Sequence, residues 1–119
     1  MVALYKEQVD PKKKKDPATL TVRVDKIEQG LALDKYVQRW QKEYPKYGFD
    51  VLGSKPFVQG KDKGYVLDII NKTSKRQMRQ VVFMKAENAV ILTCRDEVQT
   101  FSSALKQCNQ IIRSFSWNN

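Results

Sequence analysis

Two short stretches of this chain are apolar on both of their alternate faces, and this feature constrains the fold more than any other. They are YVLDII, residues 65–70, and AVILTC, residues 89–94. Successive side chains of a strand point to opposite faces of a sheet, so strands of this kind need cover on both sides. The sequence therefore predicts a sheet packed between two layers.

Alternating hydrophobicity predicts six strands joined by polar connections. The strands are MVALYKEQV, TLTVRVDKI, FDVLGSKPFV, GYVLDIIN, QMRQVVFMKA and AVILTCR. The last four are connected by GKDKG, KTSKR and the Glu87-Asn88 turn, and connections this short favour antiparallel hairpins. A polar segment that contains four consecutive lysines joins the first two strands, and it is expected at the tip of another hairpin.

Two stretches have helical spacing. The first ends at Pro45 and Gly48. Its apolar stripe is partly aromatic and is predicted to be core, with a ligand platform as the alternative. The stripe consists of Leu33, Tyr36, Val37, Trp40 and Tyr44. The second is predicted to begin at Asp96 as its N-cap, with Gln99 three residues on. Its buried stripe is predicted to be Phe101, Leu105, Cys108, Ile112 and Phe115.

These elements define the expected fold class. A chain of 119 residues is long enough for one domain with its own core. Two helices and about six strands, with the central strands covered on both faces, predict an α+β fold built as a three-layer α/β/α sandwich on a central antiparallel sheet. We expect a single domain over residues 1–119.

The chain contains no histidine, which excludes Ser-His-Asp catalysis, Cys-His nucleophiles and histidine-based zinc or iron sites. One carboxylate, Asp68, interrupts an otherwise apolar strand, and a buried carboxylate needs a partner. We expect it to pair with Arg79 or Arg95 or to lie at the sheet edge, in a structural role. No catalytic residue, cofactor, metal site or small-molecule substrate is predicted, and we expect the protein not to be an enzyme.

The two cysteines are predicted to be separate buried thiols. If the last helix runs back over the strand before it, a rise of ~1.5 Å per helical residue against ~3.3 Å per strand residue places Cys108 nearer Val90 than Cys94. A disulfide or redox pair is the alternative.

The net charge of +9 permits binding to nucleic acid, an anionic membrane or an acidic protein. Basic side chains gather at three turns, and these candidate partner contacts are Lys12, Lys13, Lys14, Lys15, Lys61, Lys63, Lys72, Lys75 and Arg76. The competing interpretation is that lysines at turns only solubilise the strand ends and prevent edge pairing.

The segments KGYVLDII, RQVVFMKAENAVILTC and IIRSFSW, with the helix LALDKYVQRW, resemble PsbP-like domains, a group that includes the bacterial envelope protein DcrB. The resemblance spans roughly residues 19–117 and ends in the closing Ser114-Phe115 pair. It implies an α/β/α sandwich with a central antiparallel sheet, as well as a non-enzymatic role. Members of the family attach to larger membrane assemblies or are lipoproteins.

The chain departs from the family in two ways. The aromatic-Pro-Gly-Trp-like opening segment is missing before Val2, so we expect the domain to lack it. The histidines associated with metal in the photosynthetic member are absent, so no metal site is carried over.

The resulting functional expectation is a non-enzymatic binding or accessory domain of a bacterial envelope protein, acting through contacts with a protein or an anionic membrane surface. The alternative is a nucleic-acid-binding protein that uses the lysine-rich turns. No apolar run reaches the ~20 residues of a membrane helix, and the first ten residues lack the zones of a signal peptide. An envelope or periplasmic location therefore requires an export segment removed from upstream, and otherwise the location is cytoplasmic.

Overall fold

The computed structural model describes residues 2–6 and 18–115, so the predicted contacts Lys12, Lys13, Lys14 and Lys15 lie outside the described residues. The elements in chain order are β1 Val2–Lys6, β2 Thr19–Lys26, α1 Leu33–Glu43, a 3-10 turn Tyr44–Tyr47, β3 Phe49–Gln59, β4 Asp62–Asn71, β5 Arg76–Lys85, β6 Asn88–Glu97 and α2 Phe101–Ser114.

All strands belong to one sheet with the order β1-β2-β6-β5-β4-β3, and every neighbouring pair is antiparallel. The N-terminal hairpin pairs within this sheet, with Val2 opposite Arg23 and Lys6 opposite Thr19. The predicted α+β class, with one antiparallel sheet and two helices, is confirmed.

One face of the sheet is covered by α2. The buried cluster on this face contains Leu20, Val66, Val81, Phe83, Val90, Leu92, Cys94, Cys108 and Ile112. Three of its phenylalanine rings stack in series, since Phe83 meets Phe57 edge-on at 5.5 Å and Phe115 face-on at 4.4 Å. Of the predicted α2 stripe, Phe101, Cys108 and Ile112 are buried, whereas Leu105 and Phe115 are half-buried.

The opposite face is covered by α1. Its cluster consists of Val37, Leu67, Val82, Ala89 and Ile91, with Tyr36, Trp40 and Tyr44 packed against it. Neighbours in sequence belong to different clusters, as Val81 and Val82 do, because successive side chains of a strand alternate between faces. The aromatic stripe of α1 is core, as predicted.

The predicted start of the second helix is wrong. Asp96 lies inside β6, is fully buried, and accepts a 2.7 Å hydrogen bond from the Thr100 hydroxyl. The helix begins at Phe101 with Thr100 as its N-cap. An Asp followed by Gln three residues on matches a capping pattern, but here pairing with β5 holds the segment in the sheet through Glu97. Among the described helices, neither is long and apolar enough to cross a membrane.

Candidate functional site

The β4–β5 turn carries the predicted contacts Lys72 and Lys75, Arg76 follows as the first residue of β5, and the backbone of the turn is fixed by its own sequence. The Asn71 side-chain Oδ1 accepts hydrogen bonds of 3.0 Å from the backbone N–H groups of Thr73 and Ser74. Asparagine closes turns in this way because its short amide reaches the backbone two and three residues on. The lysines are thus presented on an ordered turn.

Lys75 adopts a left-handed backbone conformation with φ of 56°. Residues with a Cβ rarely adopt this backbone conformation, which costs them roughly 1–2 kcal/mol and is usually found at glycine. The Lys75 carbonyl accepts a 3.0 Å hydrogen bond from the Val98 N–H. That bond ties the turn to the segment that leads into α2.

Together these segments enclose a cleft of about 730 Å³, here called the basic cleft, lined by Ile70, Lys72, Ser74, Lys75, Arg76, Glu97, Val98 and Gln99. Three cationic side chains line it against one carboxylate. Several lysines and arginines around one concavity attract anionic groups more strongly than the same charges spread over a surface, because low-dielectric walls focus the field.

The Lys72 Nζ lies 3.1 Å from the Asp50 Oδ2, with the two side chains 77% and 53% exposed. Exposed ion pairs contribute little net stability, because water screens the charges and the side chains lose freedom. A ligand carboxylate or phosphate can therefore replace Asp50 at small cost.

A second hollow of about 360 Å³, here called the α2 groove, adjoins the basic cleft and shares Val98 with it. Its lining residues are Leu52, Gly53, Asp68, Gln77, Arg79, Val98, Phe101, Ser102 and Leu105. The β3 wall is shaped by a register shift between Val51 and Gly53. The helical wall is held at its far end because the Gln59 amide donates to the carbonyls of Ile112 and Phe115, each at 2.9 Å.

Asp68 lies in the floor of this groove and pairs with Arg79, directly opposite it on β5. The guanidinium donates from Nε to Oδ1 at 2.8 Å and from Nη2 to Oδ2 at 3.0 Å. The predicted pairing of Asp68 with an arginine on a neighbouring strand is therefore confirmed. This two-pronged geometry holds both side chains in one orientation.

The predicted contacts Lys61 and Lys63 do not line this cleft. Lys61 follows Gly60 in the β3–β4 turn. Lys63 lies near the start of β4 and Lys72 just after its end. They are nine positions apart, which corresponds to ~30 Å of strand. The register places Thr19, the first residue of β2, at the basic-cleft end, opposite Arg95.

Cys94 and Cys108 form a disulfide with a Cα–Cα distance of 6.1 Å, so the prediction of separate thiols is wrong. The error follows from the misplaced helix start. The strand continues for three residues beyond Cys94, and Cys108 lies seven residues beyond Phe101. A strand advance of ~10 Å is then matched by a helical return of ~10 Å, which brings the cysteines together.

Two tyrosines on the α1 face have raised pKa values. Burial, together with the nearby Asp25 carboxylate that accepts a 3.1 Å hydrogen bond from its hydroxyl, raises the pKa of Tyr36 to about 12. Burial raises the pKa of Tyr44 to about 12, and its hydroxyl donates to the Gln80 Oε1. Both rings are packing elements with hydrogen-bonded ends.

Within residues 18–115, no group of three or more cysteine or carboxylate side chains is placed to hold a metal ion. The chemistry available at the basic cleft is recognition of negative charge by lysine and arginine. Next to the cleft, the α2 groove offers apolar contact and hydrogen bonds.

No family model and no curated protein matches this sequence. Among solved structures, the chain is similar to PA94, a protein of unknown function from Pseudomonas aeruginosa, with a TM-score of 0.87 and 14% identity over 100% of this chain and 84% of that one. It is also similar to the PsbP protein CyanoP of the cyanobacterium Synechocystis, with a TM-score of 0.67 and 11% identity over 97% of this chain and 82% of that one.

At these identities the likeness shows the fold alone. The chain has a PsbP-like fold, which confirms the architecture that the sequence resemblance implies at the level of one antiparallel sheet with two helices.

Proposed function

We propose that this chain is a non-enzymatic binding or accessory domain that recognises an anionic partner, a protein or a membrane surface, through the basic cleft. The observation that carries the proposal is the convergence of Lys72, Lys75 and Arg76 around one concavity with a single carboxylate, Glu97, in its lining. Such a site attracts carboxylate or phosphate groups without any catalytic side chain.

We also propose that the domain works in a bacterial envelope, as the sequence resemblance to DcrB-like proteins implies. The disulfide between Cys94 and Cys108 supports this location, because disulfides persist in the periplasm and at cell surfaces and are rare in reducing cytosol. Thiol alkylation of the protein isolated from its natural cells tests it. Two alkylated cysteines without prior reduction would remove this part of the proposal.

The finer architecture belongs to the same proposal. We infer a single three-layer α/β/α domain with six strands. The support is the strand order, together with the alternation of buried side chains between a cluster beneath α1 and a cluster beneath α2.

The test is a titration of the full chain against three anionic probes at low and physiological salt. The probes are poly-glutamate, phosphatidylglycerol vesicles and a short DNA duplex. The informative variant is K72S/K75S, and the matched control is K61S/K63S, which removes the same charge at the opposite end of the sheet. A third variant replaces all four residues Lys12 to Lys15 with serine.

We expect poly-glutamate or vesicles to bind at physiological salt, and we expect K72S/K75S to weaken that binding by about tenfold, since each exposed charge contact contributes only modestly. Equal losses in both charge variants would reduce the cleft to general electrostatics and overturn the proposal. Absence of binding to every probe would also overturn it. Tight duplex binding with a steep loss at higher salt would favour the nucleic-acid alternative.

A further inference from the structure

The basic cleft does not end at its cations but continues into the α2 groove. The two hollows share Val98, and the β4–β5 strand pair forms the floor of both. On this face the pair Ile70–Gln77 lies nearest the turn, and the pair Asp68–Arg79 follows two residues deeper. A ligand that enters at the cations is therefore led along α2.

The spacing of this floor matches an extended chain. Same-face residues of a strand repeat every two positions, or ~6.6 Å, and an extended peptide repeats its same-side residues at that distance. If a carboxylate of such a peptide contacted Lys72 and Lys75, a side chain further along the same side of the peptide would lie against Leu52 and Leu105. Those two side chains form the apolar walls of the α2 groove.

The walls are held in place before any ligand arrives. The disulfide fixes the middle of α2 to β6, and Gln59 fixes its C-terminal end. The Asp68–Arg79 pair fixes the floor. A binding surface that needs no ordering loses less conformational entropy on binding.

The carboxylates around the two hollows disfavour a membrane or a nucleic acid as the ligand. Carboxylates of Asp50, Asp68 and Glu97 lie among the cations, and they would repel a closely spaced array of phosphates more strongly than the carboxylates of a single peptide segment. In the described part of the chain, the exposed large apolar side chains are Val24, Tyr47, Leu52, Val58 and Val98, and two of them, Leu52 and Val98, line the α2 groove.

From these observations we infer that the partner is an acidic peptide segment, bound in extended form, whose carboxylates meet Lys72, Lys75 and Arg76 and whose following apolar side chain occupies the α2 groove. This inference rests on the proposed function of the basic cleft and specifies its ligand. The backbone of such a segment would pass the polar side chains of Gln77 and Ser102.

The experiment uses calorimetric titration of the full chain with two blocked synthetic peptides. One has three glutamates followed by two leucines, and in the other the leucines are serines. Vesicles of phosphatidylglycerol and phosphatidylcholine are the third probe. We expect the leucine peptide to bind about tenfold more tightly than the serine peptide, as small differences in apolar contact produce.

Leu52→Ser tests the groove, and Val58→Ser is its matched control on the same strand. Leu52 and Val58 are 56% and 68% exposed, so neither substitution removes a core residue. We expect L52S to abolish the preference for the leucine peptide and V58S to preserve it. Equal binding of both peptides to the parent chain, or no effect of L52S, would overturn the inference.

Lys75→Gly tests the cleft, and Ala86→Gly is its matched control. Both positions are left-handed, with φ of 56° and 53°, and glycine adopts that conformation without a Cβ penalty, so both variants keep the fold. We expect K75G to weaken both peptides severalfold and A86G to weaken neither.

The outcomes separate this inference from the proposed function. Vesicle binding without peptide binding would overturn the peptide inference and leave an anionic-surface function in place. If both peptides bound with equal affinity and K75G weakened both, the role of the basic cleft in binding would stand and the role of the α2 groove would be overturned. Failure of every probe to bind would overturn both.

Discussion

Apolar side chains close both faces of the sheet, but the face under α2 adds a disulfide, whereas the face under α1 adds tyrosine rings with hydrogen-bonded hydroxyl groups. On the α2 face, three phenylalanine rings pack against one another across the sheet. On the α1 face, Tyr36 reaches Asp25 and Tyr44 reaches Gln80.

Because of this difference, the two faces are expected to respond to different chemical treatments. Reduction acts on the α2 face, because the disulfide holds that helix to β6. High pH acts on the α1 face, where ionisation of a packed tyrosine would place a charge in the interface. The candidate site lies against α2, so its walls depend on the redox-sensitive layer.

The largest expected effect is loss of the disulfide. It closes a loop with a sequence separation of 14 residues, and such loops stabilise the folded state by about 3 kcal/mol through restriction of the unfolded chain. Urea unfolding with and without a phosphine reductant should show that difference. C94A/C108A should be indifferent to reductant, and an unchanged midpoint for the reduced parent chain would contradict a role of the disulfide in holding α2.

Gly64→Ala should produce the next largest effect, again on the α2 face. A Cβ at this buried position would lie 2.7 Å from the Phe57 ring and 3.1 Å from the Phe83 ring, so the stacked phenylalanines would have to shift. Overpacking of this kind costs about 1–3 kcal/mol.

The matched control is Gly53→Ala on the neighbouring strand, where a Cβ would meet nothing within 4 Å. Thermal unfolding of the two variants should separate them clearly. Equal melting temperatures would show that the phenylalanine stack adapts to the added Cβ and would contradict close packing of the α2 face.

Sequence patterns predicted much of the fold because its strongest signal is local. Strands with two apolar faces require two covering layers, and short polar connections require hairpins. The pairing of Asp68 was predictable for the same reason, since a carboxylate inside an apolar strand needs a cation on a neighbouring strand.

The site was harder to predict because it depends on where α2 begins. A start at Asp96 would have removed the Glu97–Gln99 wall of the basic cleft and separated the cysteines. Cap patterns do not reveal that pairing with β5 extends β6 through Glu97. The separation of the β3–β4 turn from the β4–β5 turn could be predicted from the sequence, because successive hairpin turns of an antiparallel sheet lie at opposite ends.

Tyr44→Phe tests the α1 face at neutral pH. The hydroxyl donates to Gln80, whose amide in turn donates to the Thr93 hydroxyl at 3.3 Å. Loss of one partly buried hydrogen bond costs about 1 kcal/mol, which is less than either change on the α2 face. Tyr47→Phe is the control, because that ring is 70% exposed. A loss as large as that of G64A would mean that the tyrosine contacts, too, are rigidly packed.

The last expected effect is a pH dependence on the α1 face that is absent at neutral pH. The pKa values of Tyr36 and Tyr44 are raised to about 12 in the folded protein, against about 10 in an unfolded chain. Between these values the folded state binds more protons than the unfolded state, so the free energy of unfolding is fully retained below about pH 10 and falls towards pH 12. Y36F and Y44F should each flatten that decline in urea titrations across the alkaline range, whereas Y47F should not. Because the disulfide does not titrate, the slope should persist in C94A/C108A, and a slope lost in that variant would show that the packing around the α1-face tyrosines depends on the disulfide.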